Sequence, residues 1–341
     1  MIANAMVDIW LSEGVQPILK YEDDLNIFRF PVEDGAFSDG DFRYTYDREE
    51  ALCRIETLKV LWHPSKGILQ FLSSFTFIGM LWNIDQHKVS LPENKRLKFL
   101  RRVDTFIGDF ERHQYQLRDV ERIHGTLCYI SFIYVEGRSH LPSLSNFASS
   151  FGGNTFIHRF PPRSVISDLK WWSQHLKNEA FFRHLVPRSP LLDLGIFADA
   201  STSWGIGVIF NGKWMALQLS PFWKIPGRDI CWLETLAIEF VAHLLEAEDF
   251  RNCSVIIRSD NQGTIGSMNK GHNPNIHINQ SIRRIYAILI PRFVTPILIY
   301  VPSKDNLADP LSRGELDLSQ PRLTKPFQLP VELADIFLHA D

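Results

Sequence analysis

The sequence predicts an α/β (α+β) chain whose later part forms a mixed five-stranded sheet with flanking helices, and three observations lead there. Residues 191–199, 204–210 and 213–219 are β-rich runs, and the last two are joined by Asn211-Gly212, a dipeptide suited to a tight antiparallel turn. Beyond them the periodicity alternates: helical over 228–248, a short buried strand over 254–259, helical over 279–289 and strand again over 297–301. Strand runs followed by alternating helix and strand imply a mixed sheet with helices on its faces.

The elements before that sheet can be read in order. Ile2, Met6, Ile9 and Trp10 fit a short amphipathic helix that Gly14 can stop. Apolar runs at 16–20 and 25–30 flank Tyr21-Glu22-Asp23-Asp24, which reads as a hairpin with an acidic turn. Residues 47–61 look helical up to His63-Pro64, where proline interrupts. Strand-like pieces at 68–77 and 88–91 follow, and Pro92 opens the next helix at its first turn, where a missing N–H costs little. Helical stretches at 93–112 and 117–135 lead to residues 143–153, rich in serine and glycine and read as a connector. Leu169, Trp171, Trp172 and Leu176 mark a helix over 168–178. Prolines 321, 326 and 330 in the tail suit a surface wrap with a short helix near 331–339.

Hydrophobic residues make up 45% of the 341 and charged residues 22%, a balance that excludes a disordered chain and allows a sizeable core. No apolar run is long enough to span a bilayer and no leader pattern opens the chain, so an intracellular protein, cytoplasmic or nuclear, is expected, with no membrane partner. Cys53, Cys128, Cys231 and Cys253 are widely spaced with no C-x-x-C pair, which speaks against a zinc ribbon or a disulfide framework. A formal net charge of −3 argues against a general basic coat. One local basic stretch stands out: Lys95, Arg96, Lys98, Arg101 and Arg102 fall on a helical pattern, suited to nucleic acid and equally to a solvated helix face.

Four acidic residues stand at the ends of successive elements. Asp199 ends an apolar strand, Glu234 borders the apolar stripe of Leu233, Leu236, Ala237 and Phe240, Asp260 ends the next strand, and Asp309 follows the last one. A mixed sheet would bring them to one edge. Phosphodiester hydrolysis needs an activated water on one side of phosphorus and a stabilised leaving oxygen on the other, and two divalent ions about 3.5–4 Å apart meet both needs. A set of hard oxygen ligands without histidine or cysteine suits two Mg²⁺ or Mn²⁺ ions better than zinc. Such a cluster repels itself without metal, which makes it costly as mere architecture.

The strings FADASTSWGIGVIF, WLETLAIEF, IRSDNQGTI and VPSKDNLADPLSRG, with acid-to-acid separations of 35, 26 and 49 residues, resemble the four successive blocks of the ribonuclease H of retroelement polyproteins. The resemblance implies a ribonuclease H-like fold and assigns Asp199, Glu234, Asp260 and Asp309 as catalytic metal ligands. It implies an RNA–DNA hybrid as substrate, read by shape and 2′-hydroxyls. Asn261, Gln262, Asn279 and Arg283 are the expected contacts, although capping or solvated roles suit them equally. Many relatives carry a histidine in the loop before the last aspartate; here it reads Ser303-Lys304-Asp305-Asn306, so slower product release is expected. His272 and His277 fit surface or groove positions better than ligand positions.

The earlier chain carries a second resemblance. Tyr21-Glu22-Asp23-Asp24 resembles the Y-x-D-D box of reverse transcriptases, Phe77-Ile78-Gly79-Met80 the primer-grip hairpin, and Leu91-Pro92-Glu93-Asn94-Lys95 the entry to the thumb. Asp168-Leu169-Lys170-Trp171-Trp172 resembles the helix before the nuclease in DIRS-type retrotransposons, a lineage considered alongside gypsy-like elements. The implied organisation is a truncated reverse-transcriptase palm at 1–91, a helical thumb at 92–145, a connection at 146–190, the ribonuclease H-like domain at 191–315 and a tail at 316–341. A polymerase also needs an aspartate from an earlier palm strand, yet the only acids before Tyr21 are Asp8 and Glu13, both in the helical pattern. Asp23 and Asp24 are therefore expected to form a vestigial metal site, inactive in cis unless a separate chain supplies the rest. The alternative reading of the whole chain is a nucleic-acid-binding remnant that does not cut.

Overall fold

The computed structural model describes residues 2–32, 43–62, 70–185, 190–316, 319–323 and 329–338. It is a mixed α/β structure whose contacts divide the chain into two units, Met1–Glu93 with Phe182–Leu185, and Asn94–Phe181 with Val186–Asp341. Among the described residues no helix is long and apolar enough to cross a membrane.

In the first unit, α1 (Ile2–Ser12) buries Met6 and Trp10 and is followed by Gly14 at φ +80°, the left-handed conformation in which glycine ends a helix without strain. Strands β1 (Ile18–Tyr21) and β2 (Asp24–Ile27) pair antiparallel, with Tyr21 opposite Asp24 across the turn made by Glu22 and Asp23. The helix expected over 47–61 is shorter. Asp47 forms a capping box with Glu50, but α2 (Arg48–Cys53) ends within two turns, and a 3-10 turn at Glu56–Leu58 closes on Lys59 at φ +47°. A left-handed Lys59 stops the helix well before Pro64, which lies outside the described residues. Strands β3 (Ser74–Phe77), β4 (Met80–Asn83), β5 (Lys88–Ser90) and β6 (Arg183–His184) form an antiparallel sheet in that order. The strand expected from residue 68 thus starts at Ser74, with 68 and 69 outside the described residues.

The second unit begins with α3 (Glu93–Gly108) and α4 (Leu117–Ile130), the latter presenting Val120, Ile123, Leu127 and Ile130 at helical spacing to the interior. The expected connector at 143–153 contains a helix instead, α5 (Pro142–Ser149). Proline at its first turn presets the backbone, and burial of Leu144 and Phe147, one turn apart, outweighs the weak helix preference of its serines. Next comes α6 (Arg163–Leu176), whose Trp172 packs so closely on Gly137 that a Cβ there would lie 2.3 Å from the indole.

Then comes the five-stranded sheet. Strands β7 (Leu191–Ala200), β8 (Gly205–Phe210) and β9 (Lys213–Gln218) are an antiparallel meander, with Asn211 and Gly212 in the turn at φ +50° and +72°. After α7 (Ile230–Ala247), β10 (Cys253–Ser259) inserts parallel to β7, and β11 (Val294–Tyr300) parallel to β10, giving the order β11-β10-β7-β8-β9. Between β10 and β11 lie α8 (Gln262–Lys270), which the sequence reading did not anticipate, and α9 (Ile276–Leu289). Short α10 (Asp309–Ser312) follows β11. In the tail, a 3-10 turn at Val331–Ile336 stands where a short helix was expected.

The main core fills the α7 and α9 side of the sheet, with Ile196, Ala198, Ile206 and Val208 facing Trp232, Leu236, Phe240 and Ile282. Burying side chains of this size contributes about 1.5–3 kcal/mol each. The opposite side is covered by α10, through a small cluster of Trp214, Ala216 and Leu311 with Trp204 half-buried beside it.

Candidate metal centre

Parallel pairing of β7 and β10 builds the site. Phe197 lies opposite Arg258, and two more steps along the same register bring Asp260 beside Asp199 at the carboxyl ends of both strands. That register depends on an irregularity in β7, where Gly195 takes φ +58° and residues 193–195 lie against a single residue of β10. Asp193 secures it by accepting from Gly195 N at 3.0 Å and from both guanidinium nitrogens of Arg258.

Asp199 also pairs with Gly207 of β8, on the face covered by α10. Only a glycine fits there: a Cβ on Gly207 would lie 2.6 Å from Leu311 Cβ, 2.7 Å from the Ala308 carbonyl and 2.8 Å from Ser312 N. The close approach lets the segment before α10 reach the aspartate. Asn306, itself buried, donates through Nδ2 to Asp199 Oδ1 at 2.9 Å and to the Ala198 carbonyl at 3.2 Å.

Glu234 arrives from the opposite side of the sheet, in the second turn of α7, whose N-terminus Asp229 caps by accepting from Trp232 N. Its Oε1 accepts from Ala200 N at 3.3 Å, which aims the carboxyl at the strand end. Its Oε2 is buried and has no hydrogen-bond partner. A second buried glutamate on the same helix makes the contrast plain. Glu239 receives two bonds from Arg284, at 2.6 and 2.9 Å. Glu239 has its counter-ion within the fold; one oxygen of Glu234 has no donor.

Asp199, Glu234 and Asp260 each offer an oxygen, all within 4.8 Å of one another, and they could hold a metal ion. Without one the charges are held down. Burial first, then the nearby charges of Asp260 and Asp309, push the Asp199 carboxyl up to about 7, against a hydrogen bond from Ser312. Burial, followed by the charges of Asp199 and Asp260, pushes Glu234 up to about 9. Both directions mark a site that holds its protons more tightly than ordinary carboxylates do. Hard carboxylate oxygens, one of them buried without a donor, fit a metal ion.

No protein-family model matches the chain, and no curated protein matches it. The centre therefore rests on its own geometry.

The structure treats the other expected residues unequally. Asp309 stands outside the three-carboxylate group: both its oxygens accept from Arg313, at 2.8 and 3.0 Å, although its charge still raises Asp199 and Glu234. Asn261 caps α8 by accepting from Thr264 N at 2.9 Å, while Gln262 is exposed one residue further on. Asn279 and Arg283 are corrections. Asn279 is buried, and both residues donate to the Ser139 carbonyl, Arg283 also to Asp168 at 2.8 Å, so they tie α9 to the preceding segment rather than facing a ligand. Asp168 accepts in addition from Ser143 and His140, which completes a buried polar joint.

In the basic stretch Arg96 is a further correction. It is buried, donating to the Leu176 carbonyl and to Glu179, because helical periodicity turns it toward α6. Arg102 is half-buried and donates to Thr126; Lys95 is half-buried; Lys98 and Arg101 are exposed. The five basic residues therefore do not form one face. In the first unit, Asp23 and Asp24 are exposed at the hairpin turn, and among the described residues no further ligating group joins them. Asp8 lies on α1.

Asn306 and Ser312 received no role from the sequence. The signal was present, since both flank Asp309 in Asn306-Leu307-Ala308-Asp309-Pro310-Leu311-Ser312-Arg313, but spacing alone does not say which polar neighbour touches Asp199.

Proposed function

We propose that the 191–315 stretch is a ribonuclease H-like domain that hydrolyses the RNA strand of RNA–DNA hybrids with divalent metal ions, Mg²⁺ or Mn²⁺. The observation that carries this reading is the convergence of three carboxylates from β7, α7 and the end of β10, two of them buried and the third half-buried, with one oxygen of Glu234 left without a donor. The mixed sheet order and the four sequence blocks support the same assignment. Bound ions would supply an activated water and stabilise the leaving oxygen. Asp199, Glu234 and Asp260 would hold them, with Asp309 contributing once it leaves Arg313. Asn306 orients Asp199, and exposed Gln262, next to Asp260, is placed to meet a sugar or phosphate of the hybrid.

On the same reading the chain derives from a retroelement reverse transcriptase, whose Y-x-D-D hairpin the Tyr21–Asp24 turn resembles. A labelled hybrid incubated with Mg²⁺ tests the nuclease directly. Cleavage is expected with the unaltered chain and not with Asp199→Asn or Asp260→Asn. Cleavage that persists in excess EDTA, or its absence over a range of Mg²⁺ and Mn²⁺, refutes the assignment. Hybrid binding without products would favour a binding protein instead, a reading that the engagement of Asp309 by Arg313 makes specific.

A further inference from the structure

Among the carboxylates near the centre, Asp309 is the one already provided with a cation. Arg313 sits one helical turn after it, and its planar fork meets both carboxylate oxygens, Nε to Oδ2 at 3.0 Å and Nη2 to Oδ1 at 2.8 Å. The pair is exposed on the Arg313 side, 59% against 27% for Asp309, so water and ions reach it. Meanwhile Asp199, Glu234 and Asp260 lie together without any basic partner among their hydrogen bonds. The fold thus separates a group of three open carboxylates from a fourth that carries its own counter-ion.

We infer that Arg313 is a positioning residue that acts as a built-in counter-ion, holding Asp309 away from metal, so that a second divalent ion binds only in exchange for its guanidinium. The inference rests on the metal-dependent reading above. No bond is made or broken covalently: the guanidinium leaves two carboxylate oxygens, and the ion takes them. The first ion enters the three-carboxylate group without this exchange and binds more tightly. The second carries the cost of breaking a bidentate pair that is partly screened by solvent. That cost corresponds to about 1.5- to 5-fold in affinity, the span of exposed ion pairs.

Mn²⁺ titration of the full chain, followed by calorimetry and by the electron paramagnetic resonance of free Mn²⁺, counts the ions and gives an affinity for each without reference to activity. The unaltered protein should show one tighter and one weaker site. Arg313→Gln should tighten the weaker site by about 1.5- to 5-fold and leave the tighter one unchanged. Arg313→Lys, which keeps the charge and loses the fork, should fall between them, and a purely structural role would not give that order. Equal second-site affinity in all three proteins overturns the exchange while leaving the metal centre standing. Tightening of both sites by the same factor also overturns it, since that marks a general field effect. No Mn²⁺ bound by any of them overturns the metal-dependent reading together with the exchange.

Discussion

Replacing Asp199 by Asn should stabilise the protein when divalent ions are absent, although it removes a residue of the proposed centre. The folded Asp199 carboxyl titrates at about 7 against 3.8 for an ordinary aspartate. The gap is roughly three pKa units, and at about 1.36 kcal/mol per unit the buried charge costs at most about 4 kcal/mol once fully ionised. Because the folded state holds the proton more tightly than the unfolded one, this contribution is fully present below about pH 4 and is lost as pH rises to about 7. Glu234, raised to about 9, extends the decline further into the alkaline range.

Asparagine cannot ionise, yet its carbonyl still accepts from Asn306 Nδ2, so that bond survives the exchange. Allowing for relaxation of the site around the ionised group, a net gain of about 1–3 kcal/mol is expected in EDTA at about pH 8, and a gain near zero at about pH 4. For a unit of this size that is roughly 2–4 °C of melting temperature per kcal/mol. Scanning calorimetry of both proteins in EDTA, across that pH range and then with Mn²⁺ added, reads the whole pattern. Mn²⁺ should raise the melting temperature of the unaltered protein and have little effect on the variant. If the variant melts below the unaltered protein at about pH 8 in EDTA, or if the difference does not change with pH, the electrostatic account of the site is wrong.

Other perturbations test separate links. Gly207→Ala places a methyl 2.6–2.8 Å from three atoms around α10, so it should cost about 1–3 kcal/mol and depress hybrid cleavage more than it depresses the melting temperature; normal cleavage would show that α10 does not need this close approach. Arg284→Ala strands the buried Glu239 carboxylate and should cost about 3–5 kcal/mol in urea unfolding; a change under about 1 kcal/mol would mean that the pair is not holding α7 to α9. Asn306→Ala removes the donor to Asp199 and should weaken Mn²⁺ binding by about 10-fold, read by calorimetric titration; unchanged affinity would remove Asn306 from the centre.

What could be read from the sequence was whatever is written in short-range periodicity and turn chemistry. The Asn211-Gly212 hairpin, the amphipathic α1 with Gly14 behind it, the hairpin around Tyr21–Asp24 and, α8 apart, the order of strands and helices from residue 191 follow from local patterns that the folded chain keeps. Three of the carboxylates could be picked out for the same reason, because Asp199 and Asp260 stand at strand ends and Glu234 borders the apolar stripe of a helix. Local preference misled where long-range burial outweighed it: α5 forms from serine-rich chain because Leu144 and Phe147 are buried, and Arg96 turns inward against α6. Only tertiary structure decided which polar groups belong to the centre and which to the scaffold. Asn279 and Arg283 find the Ser139 carbonyl 140 and more residues away, and Asn306 finds Asp199 at a separation of 107. Hydrogen bonds and ion pairs act over about 3 Å, and contacts between residues so far apart in the chain exist only once the sheet and its helices have closed.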